Sequence, residues 1–243
     1  MYLFDCSTVT NLPSTLIERY NLVWDRIRQA AHDHNRNPRD IRLLAVSKTR
    51  DAEEIRALSE IGQQAFGESY LQEALTKVAN LQDLNLEWHF IGRLQSNKTK
   101  PIAENFSWIH SLASLKHAQR LNEQRPTRLS PLNVCIQVNT SGEQSKDGHQ
   151  PDELIELFDR YVELPNLRIR GLMTIPAPAQ DIQSQRHPFR LLRELRDSLR
   201  TQKTPLEVLS MGMSDDLEAA IAEGANLLRI GTAIFGPRQY NVK

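Results

Sequence analysis

The chain has 243 residues, 40% hydrophobic and 25% charged, near the averages of soluble globular proteins, which excludes a mainly disordered chain and allows a sizeable core. Lys plus Arg number 30 and Asp plus Glu 30, so no excess charge draws the molecule onto nucleic acid or anionic lipid. No stretch approaches the roughly 20 apolar residues of a membrane span. The N-terminus, with Asp5 and no early Lys or Arg, is a poor signal peptide, so the expectation is a cytoplasmic protein without a membrane partner. Cys6 and Cys135 stand far apart and read as reduced thiols, Cys135 inside an apolar run.

The first helix is expected from residue 13 to about 34, with Leu16, Ile17, Tyr20, Val23, Trp24, Ile27 and Ala31 on one stripe. RLLAVS (42–47) is the first strand, and Asp51 is placed to cap the helix that follows. Further strands are expected at 63–67, 87–91, 107–111, 133–139, 167–173, 207–211 and 226–231. Helical periodicity falls between them at 71–81, 96–105, 115–124, 152–161, 187–199 and 215–223. Strands alternating with helices predict a parallel sheet with crossover helices. Eight strands without a linker or composition break favour one closed (β/α)8 TIM-type barrel domain over residues 1–243, with 1–12 as a short N-terminal extension. An open doubly wound sheet is the competing architecture. No long apolar face is left over once the helices are assigned, so a monomer is expected.

In such a barrel, functional groups sit at the carboxyl ends of the strands, and phosphates are often gripped after strands 7 and 8. Lys48 follows the first strand there. A lone strand-end Lys commonly snorkels to water, so its meaning depends on its neighbours. After strand 7 the chain reads Ser210-Met-Gly-Met-Ser214-Asp-Asp. Gly212 permits a close turn, and Ser214 stands at a helix start, either as an N-cap or as part of an anion site. Asp215 and Asp216 would repel an anion and should face away from it. After strand 8, Gly231 allows close backbone approach and Thr232 offers an N–H and a hydroxyl. Barrel closure pairs strand 8 with strand 1, which makes Lys48 and the Gly231/Thr232 turn neighbours. An amine beside a phosphate cup suits a ligand with an aldehyde and a phosphate, foremost pyridoxal 5′-phosphate (PLP). Arg229 would then meet the pyridine nitrogen.

The segments LLAVSKTR (43–50), FGESYLQEA (66–74), EWHFIGRLQSNKTK (87–100), VNTSGEQSKDG (138–148), RGLMTIP (170–176) and SMGMSDDLEAAIAEGANLLRIGTAIFGPR (210–238) are long and ordered. Through them the chain resembles the pyridoxal phosphate homeostasis protein family, single-domain PLP-binding barrels of the alanine racemase N-terminal domain kind. The resemblance implies Lys48 as the Schiff-base lysine. It assigns the phosphate to Ser214, Gly231 and Thr232, helped by the Met213 backbone and Ser210, and turns Arg229 to the ring nitrogen. It also implies a non-enzymatic role in PLP homeostasis, storing the cofactor and delivering it to PLP-requiring apoenzymes. The family usually reads FGEN where this chain has FGES, so Ser69 replaces an amide with a shorter hydroxyl that makes fewer hydrogen bonds.

His89 should face the opposite side of its strand from Trp88 and Phe90, lining the barrel mouth or serving as an interior histidine. Asn97, Lys98 and Lys146 lie in loops on the functional face, and Lys146 could take up the aldehyde from Lys48. No zinc spacing, HExxH, GxGxxG or P-loop is present. The arginines at 186, 190, 193, 196 and 200 form a basic stripe, read as a solvated face rather than an RNA site. Two competing activities remain. A PLP-dependent racemase would need a second base on the opposite face of the bound substrate. A class I aldolase would usually carry its lysine on a later strand.

Overall fold

The computed structural model describes residues 15–143 and 147–237. Within them, eight parallel strands close into a barrel in sequence order: β1 (Arg42–Val46), β2 (Ala65–Glu68), β3 (Glu87–Phe90), β4 (Trp108–Leu112), β5 (Leu132–Gln137), β6 (Leu167–Met173), β7 (Val208–Ser210) and β8 (Leu227–Ile230). The closed sheet removes the competing open architecture. Helices α1 (Leu16–Asp33), α2 (Ala52–Glu60), α3 (Leu71–Asn80), α4 (Thr99–Asn105), α5 (Leu115–Gln124), α6 (Pro151–Val162), α7 (Ile182–Leu199), α8 (Leu217–Ala222) and α9 (Thr232–Phe235) surround it. No helix among the described residues is long and apolar enough to cross a membrane.

Local signals account for most of the elements. Thr15 and Glu18 form a reciprocal capping box at the start of α1, and Tyr20, Val23, Ile27, Ala30 and Ala31 form its buried stripe. Ile17, expected on that stripe, is exposed. The helix is fastened to the last βα unit by Arg26 on Glu218 and by Arg36, which donates to the Ile221 and Ala225 carbonyls. It thus covers the seam where β8 meets β1.

Three departures from the sequence reading have a local cause. β2 begins at Ala65 rather than 63 because the buried Gln63 side chain donates to the Leu43 and Ala65 carbonyls and accepts from Tyr20, plugging the entry to the strand. α7 begins at Ile182 because Asp181 caps it, accepting from the Gln183 and Ser184 N–H groups, and Pro188 is carried inside the helix. The expected helix 96–105 splits into a 3-10 turn, Ser96–Lys98, followed by α4.

The main apolar core lies between the strands and the helix ring. Inside the barrel are two small apolar clusters, Leu44 with Ala65 and Leu227, and Trp108 with Cys135 and Met173. Between and above them the interior holds His89, His110, Ser210 and Arg229, all buried. An interior that mixes aliphatic packing with paired polar groups is stable only where each polar group finds a partner. Residues 1–12, Cys6 and Lys146 fall outside the described residues, and so do the expectations attached to them.

Candidate functional site

β1 pairs with β8 with Ala45 opposite Ile230, so the residues just beyond, Lys48 on one strand and Gly231 and Thr232 on the other, meet at the carboxyl end of the barrel. They border a pocket of about 220 Å³. Of the eight residues singled out in the sequence, Lys48, Ser69, Met213, Ser214, Arg229, Gly231 and Thr232 line it. Ser210 lies beneath, bonded to Arg229. A recess of about 290 Å³, bordered by Arg168, Lys203 and Glu207 near the starts of β6 and β7, gathers no comparable set of nucleophile and donors.

The loops around the pocket are tightly folded. Gly212 has φ +94°, and a Cβ there would lie 2.7 Å from both Ala220 Cβ and Leu228 Cδ2, so only glycine turns the chain between β7 and α8. At Gly231 a Cβ would stand 3.3 Å from the Val46 carbonyl, crowding the end of β1. Ser214 Oγ accepts from the Ala233 N–H at 3.1 Å, which ties the β7–α8 loop to α9 and leaves the hydroxyl proton available to an anion. Arg50, not singled out in the sequence, also lines the pocket; it donates to the Gly236 and Pro237 carbonyls.

Two expectations are corrected here. The Met213 N–H is committed to Asp216 Oδ1 at 2.5 Å, so Met213 borders the pocket without offering that donor. Asp216 is thereby turned into its own loop, and burial pushes its carboxyl up against the opposing effects of Met213 and Arg229. Asp215, expected to face away from an anion, is exposed and borders the same pocket. Asn97 is exposed and Lys98 half-buried; neither lines the pocket.

Arg229 is 4% exposed. Its NH1 donates to the Ser210 carbonyl (2.5 Å) and hydroxyl (2.8 Å), and its NH2 to the Thr174 carbonyl (2.8 Å). Burial lowers its pKa to about 10, against the opposing effect of Asp216, and it stays cationic at neutral pH. From Ser210 a chain of contacts runs down the barrel axis: Ser210 Oγ to His110 Nδ1 (2.7 Å), His110 Nε2 to His89 Nδ1 (2.8 Å), and His89 Nε2 to Glu87 Oε1 (2.7 Å).

The carboxylate end, with both buried rings neutral, fixes the polarity of the whole chain. The Glu87 carboxylate only accepts, so the neutral His89 and His110 rings each donate from Nε2, and His110 Nδ1, left as an acceptor, takes the hydrogen bond of the Ser210 hydroxyl while Ser210 Oγ accepts from Arg229. His110 therefore carries its proton on Nε2 and donates to His89 Nδ1. His89 in turn carries its proton on Nε2 and donates to the Glu87 carboxylate. Both rings are neutral because burial holds the His89 pKa below, and the His110 pKa well below, the usual histidine value. Burial would raise the Glu87 carboxyl, but the His89 contact and Arg42, 2.5 Å away, outweigh it and bring it to about 2.

His89 thus does not border the pocket. It is fully buried, stacks on Trp108 with ring centroids 5.3 Å apart, and is separated from Arg229 by His110 and Ser210. His110 escaped the sequence reading, although the alternation of β4 puts it on the same inward face as Trp108. The basic stripe of α7 is also accounted for. Arg186, Arg190 and Arg193 converge on Glu223, whose side chain is 1% exposed, so they are occupied within the fold. Cys135 is fully buried, and burial pushes its thiol up to about 12. No cluster of His, Cys, Asp and Glu suited to a metal ion occurs among the described residues.

Residues 24–239 match the family described as alanine racemase, N-terminal domain. The pyridoxal phosphate homeostasis protein of Pseudomonas aeruginosa is 56% identical over 227 residues, covering 93% of this chain and 97% of that protein. Its Escherichia coli K12 counterpart is 50% identical over 224 residues, covering 91% and 96%. Among solved structures, PipY of Synechococcus elongatus, determined with PLP bound, superposes with a TM-score of 0.81 at 35% identity over 91% of this chain and 100% of that one. The alanine racemase of Corynebacterium glutamicum, at 16% identity and a TM-score of 0.66 over 93% of this chain and 62% of that one, shares the barrel. With sequence, length and barrel topology in agreement, the chain belongs to the pyridoxal phosphate homeostasis protein family, built on the alanine racemase N-terminal domain.

Proposed function

We propose that this single barrel binds PLP as a Schiff base on Lys48 and buffers it or delivers it to PLP-requiring apoenzymes in the cytoplasm, as a monomer and without efficient catalysis of its own. The observation that carries the reading is the convergence, in one pocket, of an amine, a hydroxyl-bearing double loop and a buried guanidinium. These match the three polar features of the cofactor: aldehyde, phosphate and pyridine nitrogen. When bound, PLP supplies an aldehyde carbon that takes up a primary amine with loss of water.

Each residue has a distinct task. Lys48 Nζ, as the neutral amine, is the nucleophile. The Ser214 hydroxyl proton and the Gly231/Thr232 turn hold the phosphate, and Thr232 is itself exposed enough to reach a ligand. Ser69, at the end of β2 beside the Lys48 strand, borders the pocket with a hydroxyl in place of the amide usual in the family. Ser210 acts one layer down, holding the guanidinium of Arg229. Permanently cationic and with all its acceptors inside the protein, Arg229 faces the ring nitrogen only as a donor and keeps it unprotonated, which weakens the ring as an electron sink.

The same inventory argues against the racemase reading. Among the described residues lining the pocket, the ionisable side chains are Lys48, Arg50, Asp215 and Arg229. None of them is a tyrosine or histidine placed to act as the second base that proton exchange on both faces requires.

The test is a visible absorption spectrum of the protein with added PLP, followed by borohydride reduction and peptide mapping. We expect a reducible chromophore on the peptide containing Lys48, absent in Lys48→Ala. No chromophore and no adduct would refute the assignment. Stereochemical assays on amino acids and aldol-cleavage assays on sugar phosphates separate the carrier from the two enzyme readings. Size-exclusion chromatography with light scattering tests the monomer.

A further inference from the structure

Behind the pocket, between β2 and α3, three charged side chains meet, two of them buried and the third partly exposed. Lys77 Nζ lies 2.8 Å from Glu68 Oε1, 2.5 Å from Glu73 Oε1 and 2.7 Å from the Ser47 carbonyl. Glu68 Oε1 also accepts from Ser47 Oγ at 2.6 Å, and Glu73 Oε1 accepts from the Thr49 N–H at 2.6 Å. The Lys77 side chain is 7% exposed, Glu68 0% and Glu73 29%. The residues so gripped are the immediate neighbours of Lys48 in the chain: the carbonyl and hydroxyl of the residue before it and the amide of the residue after it.

Stability is a weak explanation for this cluster. Burying a carboxylate and an ammonium costs desolvation that their mutual attraction only roughly repays, and apolar residues of similar size would commonly serve as well. Here the burial is also incompletely compensated, because Glu68 Oε2 finds no hydrogen-bond partner among the described residues. The cluster further holds a conformation the chain would otherwise avoid: Thr49 sits at φ +63°, in the left-handed region that a β-branched residue rarely enters. Such strain persists only where the surroundings over-determine it, and it gathers at functional sites.

We propose that Lys77, Glu68 and Glu73 are positioning residues for Lys48, clamping the backbone on both sides of it so that its amine is presented at a fixed point to an aldehyde held from the ends of β7 and β8. This deepens the reading of Lys48 as the Schiff-base lysine and rests on it. The geometry explains why the clamp belongs to β2 and α3. The phosphate and ring contacts come from the ends of β7 and β8, and Arg50, through the Gly236 and Pro237 carbonyls, anchors the Lys48 turn from that side. The cluster supplies a second anchor from the other side. Reacting atoms must approach to about 3–3.5 Å, and a misplacement of about 1 Å can cost about a hundredfold in rate.

The experiment compares two ligands that share the phosphate and ring but differ in the aldehyde, PLP and pyridoxamine 5′-phosphate, on the full chain. The principal variant is Glu73→Ala, whose side chain is partly exposed and whose loss frees the Thr49 amide to water. Glu73→Gln keeps an oxygen to accept from Thr49. A double variant, Glu68→Gln with Lys77→Met, removes buried charges of both signs together and so avoids stranding one.

In Glu73→Ala and in the double variant we expect affinity for PLP and the rate of chromophore appearance to fall by about tenfold. Pyridoxamine 5′-phosphate affinity should stay within about twofold, and Glu73→Gln should recover most of the loss. Unchanged PLP capture in both variants would overturn the proposal. Parallel loss of both ligands would overturn it as well, since that is the mark of a loosened site rather than a displaced amine. If the unsubstituted protein itself forms no adduct at Lys48, the functional reading fails first and the clamp has nothing to position.

Discussion

Ser210→Ala removes one oxygen atom from the middle of the axial chain, so its cost can be worked out contact by contact. That oxygen accepts from Arg229 at 2.8 Å and donates to His110 at 2.7 Å. Arg229 keeps the Ser210 and Thr174 carbonyls, so the guanidinium stays in place and loses one of its three acceptors. His110 fares worse: its Nδ1 becomes a buried acceptor with no donor, which by itself costs about 1–3 kcal/mol. A hydrogen bond to a charged group adds about 1.5 kcal/mol or more, and the void left by a hydroxyl is too small to matter beside these. The sum is about 2.5–4.5 kcal/mol. At roughly 2–4 °C per kcal/mol for a domain of this size, the apo protein should melt about 5–18 °C lower, by calorimetry or circular dichroism. A loss under about 1 kcal/mol would mean that the chain is not a continuous hydrogen-bonded series. The same reasoning fixes an NMR result in the unsubstituted protein: nitrogen-15 shifts should report His89 and His110 as neutral with the proton on Nε2 from about pH 6 to 8. An Nδ1–H tautomer or a charged ring at either position would refute the deduced polarity.

Other perturbations read out other parts of the fold. Burial raises the Glu223 carboxyl, but hydrogen bonds from Arg186 and Arg190 and the charge of Arg193 outweigh it, so its folded pKa lies below the ordinary value. The stability it contributes is therefore present above about pH 4.5 and is lost as pH falls through the depressed folded value. Denaturation curves of the unsubstituted protein and Glu223→Gln should converge between about pH 5 and 3, and parallel curves would contradict the pairing. Gly212→Ala, which puts a methyl 2.7 Å from two side-chain carbons at φ +94°, should cost about 2–4 kcal/mol in chemical denaturation and weaken PLP binding. A neutral substitution there would mean the β7–α8 turn is not tightly packed. Cys135, with its thiol held near pKa 12 by burial, should be alkylated only at the rate of unfolding, as followed by peptide mass mapping. Prompt labelling under native conditions would contradict its placement in the barrel interior.

Much of the site was legible because strands and helices announce themselves locally. The short apolar, β-branched runs and the helical stripes between them set the number and order of the strands, and the rule that function collects at strand ends led to Lys48, Ser214, Gly231 and Thr232 without a structure. The segment resemblance pointed to the same residues from an independent direction. Boundaries slipped where a side chain replaced a backbone partner, as Gln63 does ahead of β2, or where a cap lay upstream of a proline, as Asp181 does at α7.

What only the tertiary structure decided is how these parts meet. Ser210 and His110 stand 100 positions apart, and Lys77 reaches Ser47 across 30. The inward face of β4 was predictable, but which inward residues share a layer depends on the stagger with which the sheet closes, a property of all eight strands together. For the same reason the sequence marked Met213 as a donor when its N–H is given to Asp216, and did not show that three arginines of the basic stripe share one buried carboxylate. Periodicity is a one-dimensional signal and records which side of its own element a residue faces. Hydrogen bonds and ion pairs are satisfied in three dimensions, so partner identity, and with it the polarity of the axial chain and the clamp behind Lys48, emerges only when the barrel is closed.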